Sequence, residues 1–112
     1  MAGRSRLGDL EELVLLAVLR LGTDAYGSRI RSELIEQAGR SVSISTIYVT
    51  LMRLEEKGLA RSWLGEPTGR RGGKAKRYFA VRPEGEEALL ATRAVRERMW
   101  TGVPAGDEAH AG

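Results

Sequence analysis

The stretch from Ser43 to Gly58, SISTIYVTLMRLEEKG, carries side chains suited to reading a surface rather than breaking a bond. Wound as a helix, it puts Ile44, Ile47, Leu51 and Leu54 on one face, the spacing of a helix buried on one side. Ser45, Thr46, Val49 and Arg53 take the opposite face. Three short side chains let base edges or another surface come close to the backbone, and the Arg53 guanidinium can reach a guanine or a phosphate. Tyr48 lies at the edge of the buried face, its hydroxyl open to a phosphate or its ring packed on the core. Arg53 has an alternative too, a surface ion pair with Glu56 that would be worth little.

The chemistry continues past the helix. Leu59 to Leu64 and Ala75 to Val81 are short apolar or aromatic runs on either side of GEPTGRRGGK, a stretch rich in turn formers, and this pattern predicts a hairpin. Its loop, 65–77, is a basic wing. Arg70, Arg71, Lys74, Lys76 and Arg77 are the phosphate candidates there; Arg61 and Arg82 flank them, and Glu66 alone opposes them. Standing alone, such a charge run reads as a solvated loop. Placed directly after an amphipathic helix, it reads as the wing of a DNA-binding module.

Catalytic chemistry is poorly represented. His110 is the only histidine and sits near the C-terminus, which disfavours a Ser/His pair or a histidine metal site. GRRGGK, residues 69–74, fails the phosphate-loop pattern because the glycine spacing is too short and Ala75 replaces the hydroxyl that would bind magnesium. Glu55 and Glu56 are neighbours on a helix and point apart. The expectation is a protein that is not an enzyme and needs no cofactor or metal.

The elements that must position this face are those of one small domain. The chain has 112 residues, 42% hydrophobic and 29% charged, enough for a modest core that a partner chain would help to cover. A net charge of +3 fits a polyanionic partner without demanding one. No cysteine is present, so disulfides and thiolate metal sites are excluded and a cytoplasmic location is expected. MAGRSRLGDL lacks a signal-peptide core, and the apolar run 13–19 is too short to span a bilayer, so no membrane partner is expected.

In chain order, residues 1–6 read as a flexible basic arm and 7–82 as the DNA-binding domain. A first helix runs from about Gly8 to Leu21, with Asp9 and Glu12 spaced like a capping box and Gly22 as its stop. It is apolar on nearly all sides and so needs two neighbours, its own core and a second subunit, with Leu10, Val14 and Val18 assigned to the latter. Thr23 and Asp24 are expected to cap a second helix, about Ala25 to Ala38, with Tyr26, Ile30 and Leu34 inward and Arg29, Arg31, Glu33 and Glu36 outward. Ser43 caps the third helix and Gly58 stops it, giving a helix, a turn and a recognition helix over 43–57. Pro83 starts a last helix, 83–101, whose apolar arc of Ala88, Leu89, Thr92, Val95, Met99 and Trp100 suits a dimer seam. Arg93 and Glu97 lie opposite, and 102–112 reads as a disordered tail.

These residues resemble the PadR-like transcriptional regulators, a family of dimeric winged-helix DNA-binding proteins. LGDLEELVLLAVL is similar to the family's first helix, DAYGSRI to its turn into the second, STIYVTLMRLEEKGL to its recognition helix, and KRYFAVRPEG to its second wing strand and last helix start. The likeness spans Leu7 to Gly85. Val49 stands where many members have proline, and Arg82 where a threonine usually caps the last helix. The resemblance implies a mainly α fold with a small β-hairpin, a winged helix-turn-helix followed by one C-terminal dimerisation helix. It further implies a homodimer on double-stranded DNA, acting as a repressor at a two-fold symmetric operator. Trp100 with Met99 could also line an apolar pocket between subunits for a small hydrophobic effector, although plain dimer packing explains them as well. The rival from another class is an adaptor that presents the same surface to a protein and binds no DNA.

Overall fold

Four helices and one antiparallel hairpin account for the computed structural model, which describes residues 7–67 and 74–106. Their order is α1 (Asp9–Leu21), α2 (Gly27–Ala38), α3 (Ile44–Glu56), β1 (Ala60–Leu64), β2 (Arg77–Val81) and α4 (Pro83–Trp100). The expected arm 1–6, Arg70 and Arg71 of the wing, and 107–112 of the expected tail lie outside the described residues. Helix order, hairpin and final helix make a mainly α winged helix-turn-helix.

Helix α1 is the centre. Val14, Leu15, Ala17 and Val18 are all buried, and α1 touches α2, α3, β2 and α4. Around it gather Ile30 and Leu34 from α2, Ile47, Leu51 and Leu54 from α3, Phe79 from β2 and Leu89 from α4. This corrects the assignment of Val14 and Val18 to a subunit contact: both are consumed by the domain's own core, and Leu10 packs partly against it. Leu16 and Leu19 are the exposed apolar residues of this helix. Leu89 is likewise buried inside the subunit, with Ala88 half-buried beside it. Among the expected seam residues, Val95, Met99 and Trp100 are exposed.

The helix ends follow local chemistry with two exceptions. The Ser43 hydroxyl accepts the Thr46 amide at 3.1 Å, and Gly58, at φ +76°, ends α3 while Leu59 N–H returns to the Leu54 carbonyl. At α1 the capping acid is Glu11, not Glu12: its Oε1 accepts the Gly8 amide at 2.8 Å. The second exception is α2, which starts at Gly27 rather than Ala25 and is not capped by Thr23 or Asp24. Residues 22–24 instead form a 3₁₀ turn. Tyr26 is extended and bridges to Tyr78, and the Ala25 carbonyl accepts the Phe79 amide at 2.9 Å. Pairing with β2 satisfies these backbone groups better than one more helical turn would.

The hairpin pairs Ala60 with Val81 and Leu64 with Arg77, so the faces alternate: Phe79 points into the core and Tyr78 away from it. It meets α4 without a gap. Gly85 is buried in the first turn of α4, and a Cβ there would lie 2.3 Å from the Leu59 carbonyl oxygen and 2.7 Å from Val81 Cγ1. Arg82 N–H donates to that same carbonyl at 2.9 Å. The wing and the last helix therefore share one rigid joint.

One ion pair joins α1 to the end of α3. Lys57 Nζ lies 2.8 and 2.9 Å from the two carboxylate oxygens of the buried Glu11. Burial alone would raise the Glu11 pKa. Hydrogen bonds from Lys57 and the Gly8 amide, with the charges of Lys57 and Arg53, outweigh burial and hold it below its ordinary 4.5.

Substitution tests both the joint and the ion pair. Gly→Ala inside a helix ordinarily gains stability, but Gly85→Ala should lose roughly 1–3 kcal/mol through overpacking, read from the urea midpoint at constant m. An unchanged or higher midpoint would mean that the joint is loose. Glu11→Gln should cost about 1–3 kcal/mol near neutral pH. Because the folded pKa lies below the unfolded one, the wild-type advantage is complete above about 4.5 and fades as pH falls through the folded value. Urea unfolding of both proteins across that range should show the gap closing in acid; a gap indifferent to pH would refute the pairing.

Candidate nucleic-acid interface

Ser45, Thr46, Tyr48, Val49 and Arg53 are all exposed on α3, while Ile47, Thr50, Leu51 and Leu54 turn inward. Ile44, expected on the buried side, is also exposed, because the first turn of α3 extends past the core. Ser43 organises that first turn: it donates to Thr46 Oγ1 at 2.9 Å and lies 3.1 Å from Ser45 Oγ. Thr46 thus accepts one bond and keeps its own proton for an outside acceptor. The Thr50 hydroxyl is spent on the Thr46 carbonyl at 2.8 Å. The Thr46, Val49 and Arg53 flank borders an open depression of about 680 Å³ whose far wall is Gly8, Leu10 and Glu11.

Tyr48 packs on the domain and is not fully covered by it. Its ring lies across Gly27, where a Cβ would come within 2.5 Å of the phenol oxygen, and sits 6.3 Å from the Phe79 ring. The residue still remains partly open to solvent at the start of α2.

The wing cations divide by strand face. Lys74 is exposed, and Arg77 donates to Ser62 Oγ at 3.0 Å, which in turn donates to Glu55. On the other face an aromatic ladder runs across the hairpin to Tyr26, the residue before α2. The Arg61 guanidinium lies 4.7 Å over Trp63, Trp63 stacks on Tyr78 at 6.1 Å, Tyr78 meets Tyr26 edge-on at 5.7 Å, and Lys76 Nζ is 4.2 Å from the Tyr26 ring. Cation–π contacts steady a cation without neutralising it. Lys76 and Arg61 therefore stay available to an anion while their stems are held. Period-two alternation in ARSWL and KRYFAV could have revealed this ladder, since Arg61 and Trp63 share a face with Lys76 and Tyr78.

Charge pairing separates this surface from the rest. Among the described residues the ion pairs are Arg20–Glu33, Arg29–Asp24, Arg40–Asp9, Lys57–Glu11, Arg82–Glu84, Arg93–Glu97 and Arg96–Glu12. None includes Arg53, Arg61, Lys74, Lys76 or Arg77. Elsewhere among the described residues, Arg31, which donates to the Val42 carbonyl at 2.8 Å, and Arg98 near the end of α4 also stand outside these pairs. The alternative Arg53–Glu56 pair does not form. Carboxylates pair with most cations over the body of the domain, whereas Arg53 of α3 and the described cations of the wing hairpin enter no ion pair, a distribution fit for a phosphate backbone.

Met52 is a further exposed residue of α3, one that the helical pattern did not single out. Nor did it single out Glu11, whose partner is 46 residues away in the chain.

Comparison with known proteins agrees with the fold and the family expected from the residues. No curated protein is significantly similar to the chain. Among solved structures, a Streptococcus transcriptional regulator is 28% identical over 80% of this chain and 83% of its own, with a TM-score of 0.64. A PadR family transcriptional regulator from Eggerthella lenta is 26% identical over 93% and 88%, with a TM-score of 0.66. A PadR-like transcriptional regulator from Bacillus cereus, at 20% identity, shares the fold with a TM-score of 0.69 over 92% and 93%. The model of the transcriptional regulator PadR-like family matches residues 15–91, from the core of α1 through the wing and into α4, and the chain belongs to that family of DNA-binding regulators.

Proposed function

We propose that the protein is a repressor that binds a two-fold symmetric operator in double-stranded DNA as a homodimer, with α3 in the major groove and the wing on the adjacent backbone. The observation that carries this reading is the group of described cations outside any ion pair, Arg61, Lys74, Lys76 and Arg77 of the wing hairpin with Arg53 of α3. Ser45, Thr46, Val49 and Arg53 take the base edges; Lys74, Lys76 and Arg77, with Arg70 and Arg71 beyond the described residues, take phosphates. Tyr48, at the start of α2, supports a backbone contact there.

The dimer rests on α4. Beyond Leu89 no residue of this helix is buried, and Leu90, Val95, Met99 and Trp100 stand open, the last two each 73% exposed. Such a surface on a small soluble domain calls for a partner, and a second copy supplies the two-fold axis that a symmetric operator requires. A small hydrophobic effector between subunits, against Met99 and Trp100, is a lesser part of this reading, supported by their exposure alone. The adaptor reading gains nothing from the bare cations, which a protein partner would meet only with a matching acidic surface. Among the described residues no helix is long and apolar enough to cross a membrane.

Two experiments test the proposal. Val95→Glu with Met99→Glu should convert dimers to monomers in sedimentation at micromolar concentration; a variant that stays dimeric puts the seam elsewhere. Lys74→Ala with Lys76→Ala should weaken operator and random duplex by similar factors and reduce the salt slope by about 0.9 for each phosphate that the wing no longer neutralises. Thr46→Ala with Val49→Ala should cost about 1–3 kcal/mol on the operator for every base edge no longer read, and far less on random duplex. Fluorescence anisotropy across a salt series reads the affinities for both duplexes. A wild-type protein that retains no duplex at low salt would instead favour the adaptor.

A further inference from the structure

The exposed face of α3 has a chemical character that its cations do not account for. Ser45, Val49, Met52 and Glu56 are related by steps of four, three and four, so they lie along one ridge of the helix. Ile47, Leu51 and Leu54 are buried on the opposite side, which makes this ridge the most outward line of α3. Its middle is apolar: Val49 is 52% exposed and Met52 is 59% exposed. Its far end is a carboxylate, since Glu56 is exposed and enters no ion pair among the described residues.

An apolar ridge ending in an acid is the wrong surface for a phosphate. The cations lie off this line, Arg53 on the neighbouring flank of α3 and Lys74 and Lys76 on the wing. A duplex held by those cations presents to the ridge the floor of its major groove, whose one apolar group is the thymine 5-methyl. Met52 is long, unbranched and polarisable, so it can follow a methyl group without a preformed pocket. Val49 sits one turn before it and extends the same apolar line.

We infer that Val49 and Met52 read thymine methyl groups, so that each half-site of the operator carries at least one thymine at the centre of the α3 footprint. The inference rests on the reading of α3 as the recognition helix, and it makes Met52 a specificity-determining residue. Glu56 adds a preference at the end of the ridge, where a carboxylate can accept from the cytosine amino group.

The test removes only the methyl group. A preferred duplex is selected from a random library with the full-length protein, then prepared with deoxyuridine in place of every thymidine and measured by anisotropy at one salt concentration. The wild-type protein should lose about fourfold per methyl that it touches, and so about an order of magnitude for a dimer with one such methyl in each half-site. Val49→Ala with Met52→Ala should bind the thymine and uracil duplexes within about twofold of each other. Its thermal midpoint serves as the check on folding. Equal wild-type affinity for the two duplexes overturns the inference while leaving the DNA-binding reading in place. So does a double variant that still loses about tenfold on uracil, because the effect then comes from duplex stiffness. A library from which no sequence is enriched overturns the recognition-helix reading and this inference with it.

Discussion

The burial of α1 is the constraint on which everything else in this domain depends. A helix that is apolar almost all round cannot rest on one neighbour, and here α2, α3, β2 and α4 each cover part of it. Because α3 surrenders the side carrying Ile47, Thr50, Leu51 and Leu54 to this packing, its opposite face is left outward and held at a set angle. Core packing is close to crystalline in density, so that angle is stiff. The Glu11–Lys57 pair fastens the same two helices at the end of α3. It also withdraws one cation from the surface just beside Arg53.

The hairpin is positioned by backbone rather than by bulk. Ala25 and Tyr26 lend β2 a short third edge, and the aromatic ladder then ties Tyr26 to the wing through Tyr78. Since Tyr48 of α3 covers Gly27, the base of the wing and the flank of α3 meet at the start of α2. That meeting lets the outward face of α3 and the basic wing act as one surface. At the other side Gly85 brings α4 against the Leu59 carbonyl, so whatever α4 binds is rigidly linked to the wing. A dimer built on α4 would thereby set the distance between two recognition helices, and half-site spacing depends on that distance.

Much of this architecture was legible in the residues because it depends on neighbours in the chain. The Ser43 cap, the glycines after α1, α2 and α3, Pro83 at the start of α4, and the period of Ile47, Leu51 and Leu54 are local signals within one or two turns. The turn-rich loop between two short strands is another such signal. The exposed positions of Ser45, Thr46, Val49 and Arg53 follow from the same helical period.

Tertiary structure decided what local pattern leaves open. Val14, Val18 and Leu89 carry no mark saying whether an apolar side chain meets its own core or another chain; the packing of four elements on α1 placed them inside. The start of α2 moved because Tyr26 found a strand 52 residues later, a pairing that outcompetes a local cap. Glu11 became the capping acid of α1 because Lys57, brought beside it by the α1–α3 contact, stabilises its charge. Met52 has the composition of a core residue and stands in solvent because the opposite face of α3 was already used. In each case the sequence determined the element and its period, and the competition between distant partners for one surface, backbone group or charge determined which way each side chain was used.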